Sequence, residues 1–573
     1  MKLKKWIIGF GMLSVLVAAG LGGWYMGTQR TKSPKEDTTR ALWVSDRPIP
    51  KTVEPGAYLA ALNAVFSDDI ERAANYYIQV LQGDPENEKL QREGYFFNAL
   101  MGRFDELRFV VERLNKKSES EYLTGYVLSA YAVKDQNWSR VREVMPANKT
   151  LLMEKILTPV VRAWSYAAEG NKEQALAELN TLKTLKDIDG YYGYHKGLIG
   201  LLLRDAALAD EGFVEMSKTT LRTVSFYPEI RAFYLRQNKW NAENPVFVQW
   251  KLFEDKEPAK AEIVMAGLPR PMTANRGIGE AFYNISSAFG GIREYYEGSL
   301  ILSALSLYLN PDQELPKIWN AEILEQIGKP NWASYYYAQL PNRMSQTLSF
   351  KKAMNYVSCG KDDEALKLLD QLKLTNRDNT SLWLALAGVY QNKKNWPRAA
   401  YAYTRILEIE GESNREYAAS IYFARSFVYQ EQGLQKQTEA DLQKSLSLNP
   451  SNPVVLNQLG YQWLESDTKI DEGFKLVEKA YELKKSDPHI SDSMAYAFYR
   501  KNQYDKALPL AEKTVDVMPQ SSVANAHLGD IYAALGRMRE AHFQYHKALS
   551  LTYDLTPELK QELTQKLAKN SAK

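Results

Sequence analysis

From Gly56 onward, apolar positions recur three and four residues apart in runs broken by short turns, and alternating β-branched runs are few. That period belongs to amphipathic helices, so the pattern predicts an all-α protein. Towards the C-terminus the runs themselves repeat. Gly529 is preceded 34 residues earlier by Ala495, a further 35 earlier by Gly460, and 34 before that by Ser426. Each small residue is followed three positions later by an aromatic one: Tyr532, Phe498, Trp463 and Tyr429. Alanine follows at a second offset (Ala507, Ala541), with Thr438 replacing it in another unit, and Pro450 and Pro519 close two units. A small residue lets a second helix approach closely, the aromatic fills the space beside it, and the later alanine receives the first helix. Each unit is therefore predicted to be a helix, a turn and an antiparallel helix. Such a pair cannot bury its apolar face alone, so the units must stack.

The pattern resembles the tetratricopeptide repeat. In GDIYAALGRMREA the small residue, the aromatic, the turn glycine and the alanine are Gly529, Tyr532, Gly536 and Ala541. The same register continues upstream with falling fidelity. It passes through Tyr356, Gly360 and Ala365, through Leu324, Gly328 and Ala333, through Tyr166, Gly170 and Ala175, and through Asn98, Gly102 and Leu107, beginning near Ala73 and Pro85. About 14 units of this length cover Gly56 to Leu551. The resemblance implies an α-solenoid of tandem helix pairs wound into a superhelix, whose first helices line a groove that accepts a peptide or a partner protein. The layout of the whole chain is also similar to long exported repeat proteins of α-proteobacteria, a group that implies no defined reaction.

The pattern weakens over residues 227–279, where Pro228, Pro245, Pro258, Pro269 and Pro271 fall. No helix continues through Pro269 and Pro271, so this stretch is expected to be an irregular, proline-rich helical connector between an N-terminal arm, 56–226, and a C-terminal arm, 280–551. Gly277 and Gly279 within it are read as linker, because neither a preceding strand nor a lysine at phosphate-loop spacing accompanies them. Residues 552–573 read as a capping helix from Thr556-Pro557 with a basic tail. At the other end, Lys2, Lys4 and Lys5 precede an uncharged run from Trp6 to Gln29. Such a run can cross a bilayer, and the lysines ahead of it favour a cytoplasmic N-terminus. Residues 1–30 are expected to be a signal anchor, a single transmembrane helix of a bacterial inner membrane, with the repeat body in the periplasm. Cleavage near Val17-Ala18-Ala19, leaving the body free in the periplasm, is the alternative. Residues 31–55, with Pro34, Pro48, Pro50 and Pro55, read as a flexible linker.

Composition narrows the function. Lys plus Arg number 72 against 69 Asp plus Glu, a net charge of +3, so the field that attracts nucleic acid is missing. Cys359 is the only cysteine, which excludes an intramolecular disulfide and a cysteine metal cluster. It is expected to be a buried small apolar residue. No H-E-x-x-H or G-x-S-x-G motif occurs, and five histidines leave few general bases. A non-catalytic scaffold with a protein or peptide partner, without cofactor or metal, is expected. The alternative is an envelope enzyme or metal-binding protein with a site in the groove, for which His542 and His546, four apart on a second helix, are the metal candidates.

The candidate groove residues sit on successive first helices: Asn457, then Asp492 with Tyr496 one turn on, then His527 with Asp530. Stacked, they would form a polar strip suited to hydrogen bonding with an extended peptide. The family's carboxylate-gripping mode uses lysine, arginine and asparagine on first helices. Only Asn457 suits it, and Asp492 and Asp530 would repel a carboxylate, so a basic or neutral polar ligand is expected. The aromatic groups Tyr191, Tyr192, Tyr194 and His195, and Tyr335, Tyr336 and Tyr337, are expected in the core.

Overall fold

A computed structural model describes residues 55–83, 87–116, 123–145, 152–185, 188–219, 225–265, 267–290, 292–340, 345–466 and 469–570. The signal anchor and all but the last residue of the linker fall outside these residues. Every regular element among them is a helix, so the fold is all-α. None of the described helices is long and apolar enough to cross a membrane. The chain packs as two compact units, one ending at Lys361 and one beginning at Asp362.

Helix pairs form because one backbone position reverses the chain. That position is left-handed at Asp68, Gly102, Gln136, Gly170, Arg204 and Asn238, with φ between 54° and 77°. These six residues stand 34 apart throughout. Glycine takes this conformation freely, whereas the other four carry a Cβ that makes it cost about 1 kcal/mol each. Gly328, Gly360, Gly433 and Gly536, with Lys394 and Asn502, hold the same turn further on. Helix starts are fixed by side-chain caps. Asn137, Asn171 and Asn395 accept the N–H three residues ahead, while Asn244, Asn452 and Asp487 cap helices that begin with proline.

Residues 227–279, drawn above as a connector, contain Tyr227–Arg236 and Pro245–Lys256 around the turn at Asn238, then Pro258–Met265 and the start of Ala274–Phe289. The extended break is confined to the stretch around Pro269 and Pro271. Gly277 and Gly279 are helical rather than linker. A Cβ at Gly277 would lie 2.2 Å from Trp164, and one at Gly279 would lie 2.1 Å from Asn310. They are glycine because helices touch there.

In the unit ending at Lys361 the later helices fold back on the earlier ones. Ala274–Phe289 packs against Leu152–Ala168, and Tyr296–Leu309 against Glu88–Leu100 and Thr124–Lys134. The backing continues to Pro330–Ala338: Phe97 meets Trp332 edge-on at 5.5 Å, Tyr335 Oη donates to Met101 O at 3.1 Å, and Lys329 pairs with Asp68 at 2.6 Å. The first-helix face that would line a groove is thus filled by the chain's own helices. Tyr191, Tyr192, Tyr194, His195, Tyr336 and Tyr337 are buried in this interior, whereas Tyr335 is half-buried. Cys359 is also half-buried, not fully enclosed; burial pushes its thiol up, away from thiolate chemistry.

Glu280 and His195 are among the titratable groups of that interior. Glu280 is fully buried, accepts from Tyr194 Oη at 2.8 Å and from the Ser225 N–H at 3.2 Å, and burial raises its carboxyl. His195 accepts from Trp164 Nε1 at 3.1 Å, which places its proton on Nε2, and burial lowers its pKa to about 3. A depressed histidine gives stability that is complete above the unfolded pKa, near 6.5, and is lost as pH falls towards about 3. His195→Gln, which keeps an acceptor for Trp164 and does not titrate, should therefore flatten the acid limb. The full chain should lose up to about 1.4 kcal/mol more per pH unit below 6.5 than this variant, read as melting temperature against pH. Parallel acid limbs would show that His195 is not the titrating group.

The unit beginning at Asp362 opens with α1 (Asp362–Thr375), followed by five pairs. These are α2 (Thr380–Asn392) with α3 (Trp396–Glu410), α4 (Arg415–Glu431) with α5 (Gln435–Leu448), and α6 (Pro453–Glu465) with α7 (Ile470–Leu483). Then come α8 (Pro488–Arg500) with α9 (Tyr504–Val517), α10 (Ser522–Ala534) with α11 (Met538–Ser550), and finally α12 (Pro557–Asn570). Ala495, Ala507 and Ala541 are fully buried, and Tyr532 nearly so. Phe498 and Trp463 are half-buried. Gly529 lets Tyr545 reach within 2.5 Å of where a Cβ would stand, and Gly460 brings Gly473 O to 2.8 Å of the same point. Thr556 Oγ1 caps α12 by accepting from the Leu559 N–H at 3.1 Å, and Leu563 is buried beneath that helix.

Candidate functional site

The first helices of the last three pairs lie side by side, α8 touching both α6 and α10. Residues four apart on such helices share a face. On α6 this brings Tyr461 and Glu465 forward; on α8, Tyr496, Tyr499 and Arg500; on α10, Val523, Ala526, His527 and Asp530. Thr556 at the cap of α12 and Leu559, Glu562 and Lys566 of α12 form the last wall, and together these residues line a cavity of about 240 Å³.

Its floor is a polar chain. His527 is buried, its Nδ1 is 2.9 Å from Asp492 Oδ2, and its Nε2 is 3.3 Å from Tyr461 Oη. Tyr461 Oη in turn donates to Glu465 Oε1 at 3.1 Å. The Tyr496 ring stacks on the imidazole at 4.5 Å and 23°, and Tyr461 and Tyr499 flank Tyr496 at 5.3 and 6.0 Å. Burial opposes a charged imidazole, but the adjoining Asp492 carboxylate outweighs it, so the ring's pKa is raised. Arg500 lies over the Tyr496 ring, 5.6 Å from its centroid, and donates to Tyr496 Oη at 3.1 Å and to Leu464 O. Asp530 accepts from Tyr545 Oη at 2.8 Å and from Lys566 Nζ at 2.6 Å.

Of the sequence-predicted strip, Tyr496, His527 and Asp530 line this cavity, and Asp492 lies behind it, bonded to His527. Asn457 does not line it; it is buried on α6, one turn before Tyr461. His542 is half-buried and His546 exposed on α11, away from the cavity. Among the described residues no group of three or more histidine, cysteine, aspartate or glutamate side chains is placed to hold a metal ion. What the arrangement offers is a stack of aromatic faces beside fixed charges, which suits holding a side chain. A second cavity, about 390 Å³ in the other unit, lies by Arg108, Tyr131 and Asp135; there Arg108 is already paired with Asp135 at 3.7 Å and lies over the Tyr131 ring at 4.5 Å.

No family model matches the chain. It is similar to a TPR repeat-containing protein of Pseudomonas aeruginosa, 30% identical over 192 residues, which are 33% of this chain and 30% of that protein. It is also similar to the antiviral innate immune response effector IFIT1 of Homo sapiens, 28% identical over 144 residues, 25% of this chain and 30% of that protein. Each match thus spans under a third of the relative's own length. A solved tetratricopeptide repeat protein from Parabacteroides merdae aligns with 44% of this chain and 97% of its own at 17% identity, with a TM-score of 0.35.

Proposed function

We propose that the chain is a tetratricopeptide-repeat protein acting as a non-catalytic scaffold, one that binds a peptide segment at the cavity between α6, α8, α10 and α12. One observation carries this reading. In the unit ending at Lys361 the first-helix face is filled by helices of the same chain, whereas the last three repeats present an aromatic and charged cavity on theirs. A chain segment with one anchoring side chain fits a space of about 240 Å³. The uncharged run from Trp6 to Gln29 behind Lys2, Lys4 and Lys5 supports a scaffold anchored in a bacterial inner membrane, with its repeats in the periplasm.

The test is a random peptide display library selected on the purified protein. Peptides should enrich, and Tyr496→Ala should weaken the best of them by at least about tenfold, as loss of a central aromatic anchor does. Phe543→Ala, at a residue 65% exposed on α11, should leave binding unchanged. Enrichment that is insensitive to Tyr496→Ala would move the site elsewhere. For the anchor, the full chain should sediment with membranes and a variant lacking residues 1–30 should not.

A further inference from the structure

Lys566 is an unusual wall for a cavity. It reaches back from α12 to Asp530, with both carboxylate oxygens in range and Oδ2 at 2.6 Å, and to Glu562 Oε1 at 2.8 Å. Burial opposes its charge, yet the two carboxylates outweigh burial and hold the ammonium above its ordinary pKa. Its side chain is only 27% exposed. The chain's own last helix therefore already supplies a cation to these two carboxylates. Without that cation the lining would set three carboxylates, Glu465, Asp530 and Glu562, against the guanidinium of Arg500, the His527 imidazole being matched by Asp492. The faces of Tyr461, Tyr496 and Tyr499 beside them are the surface on which a cation gains further attraction. Leu559 and Leu563 anchor α12 by burial, so the lysine stem can swing out while the helix stays in place.

We propose that the bound peptide places a lysine or arginine side chain on Asp530 and Glu562, in exchange for Lys566, so that α12 acts as a built-in competitor for its own ligand site. The proposal rests on the peptide-binding reading above and names the ligand class of that site.

Peptides enriched by display on the full-length protein should carry a lysine or arginine. Replacing that residue by norleucine should lower affinity at least tenfold, as should Asp530→Asn. Lys566→Gln should raise affinity about fivefold by removing the competitor. Glu562→Gln serves as the second acidic variant and should lower affinity severalfold; a thermal melt of each protein shows that the fold is kept. Enriched peptides that have no basic residue, or whose binding is lost in Tyr496→Ala but unaffected by Asp530→Asn, Glu562→Gln and Lys566→Gln, would overturn the ligand class and leave the site. Failure of any peptide to enrich would overturn the peptide-binding reading and this inference with it.

Discussion

Gly212→Val is expected to unfold the hairpin formed by residues 189–216 and to lower the stability of its unit by at least about 3 kcal/mol. A Cβ at Gly212 would stand 2.3 Å from Gly197 N and 2.8 Å from Gly193 O. The approach is mutual, since a Cβ at Gly193 would lie 2.5 Å from Met216 N and one at Gly200 would lie 2.4 Å from Ala209 N. All of these neighbours are backbone atoms, so no rotamer change relieves the clash and the helices must separate. Hydrogen exchange followed by mass spectrometry on the full chain should show lost protection across 189–216, with a lower melting temperature. Gly298→Ala, where nothing lies within 4 Å of the added methyl, should be neutral or stabilise by up to about 1 kcal/mol. Equal behaviour of the two variants would show that the close approach is not what makes Gly212 necessary.

Asp492→Ala should cost about 3 kcal/mol in the other unit, because it leaves a buried imidazole without its carboxylate partner. Asp492 is 1% exposed and its carboxylate lies 2.9 Å from the ring. The variant should also change the sign of a pH effect. In the native protein the pKa of His527 is raised. Its stabilisation is thus complete below about pH 6.5, where the ring would be charged even unfolded, and declines as pH rises through the elevated folded value. Without Asp492, burial is opposed only by Asp530 and Glu465, the weaker contributors, so the alkaline decline should disappear and acidification should destabilise instead. Exchange protection of α8 and α10 between pH 5 and 9 reads both effects. Retention of the alkaline decline in Asp492→Ala would assign it to another group.

Particular residues explain what the sequence revealed and what it hid. The repeat was plain at Gly529, Tyr532, Gly536 and Ala541, where turn and packing positions carry the residue types that each role favours. It faded upstream although the turn recurs every 34 residues from Asp68 to Asn238. Four of those six turns use aspartate, glutamine, arginine or asparagine in the left-handed conformation, so glycine no longer marks them. The fold-back of Ala274–Phe289 onto Leu152–Ala168 was illegible because it joins residues more than a hundred positions apart. Gly277 looked like linker when its role is to admit Trp164.

The candidate site was half visible. Asp492, Tyr496, His527 and Asp530 were found by stacking first helices, and the same four-residue step would have reached Glu465 from Tyr461 and Arg500 from Tyr496. Lys566 and Glu562 carry no such signal, since α12 lies outside the repeat register and its side of the cavity exists only after folding.

Binding through the inner face of the last three repeats can be read by hydrogen exchange of the full chain with and without a saturating display-selected peptide. Exchange should slow chiefly in α6, α8, α10 and α12, and should not slow there in Asp492→Ala at acidic pH, where that variant is expected to be destabilised. Protection confined to residues 55–361, or to the second helices α7, α9 and α11, would contradict it.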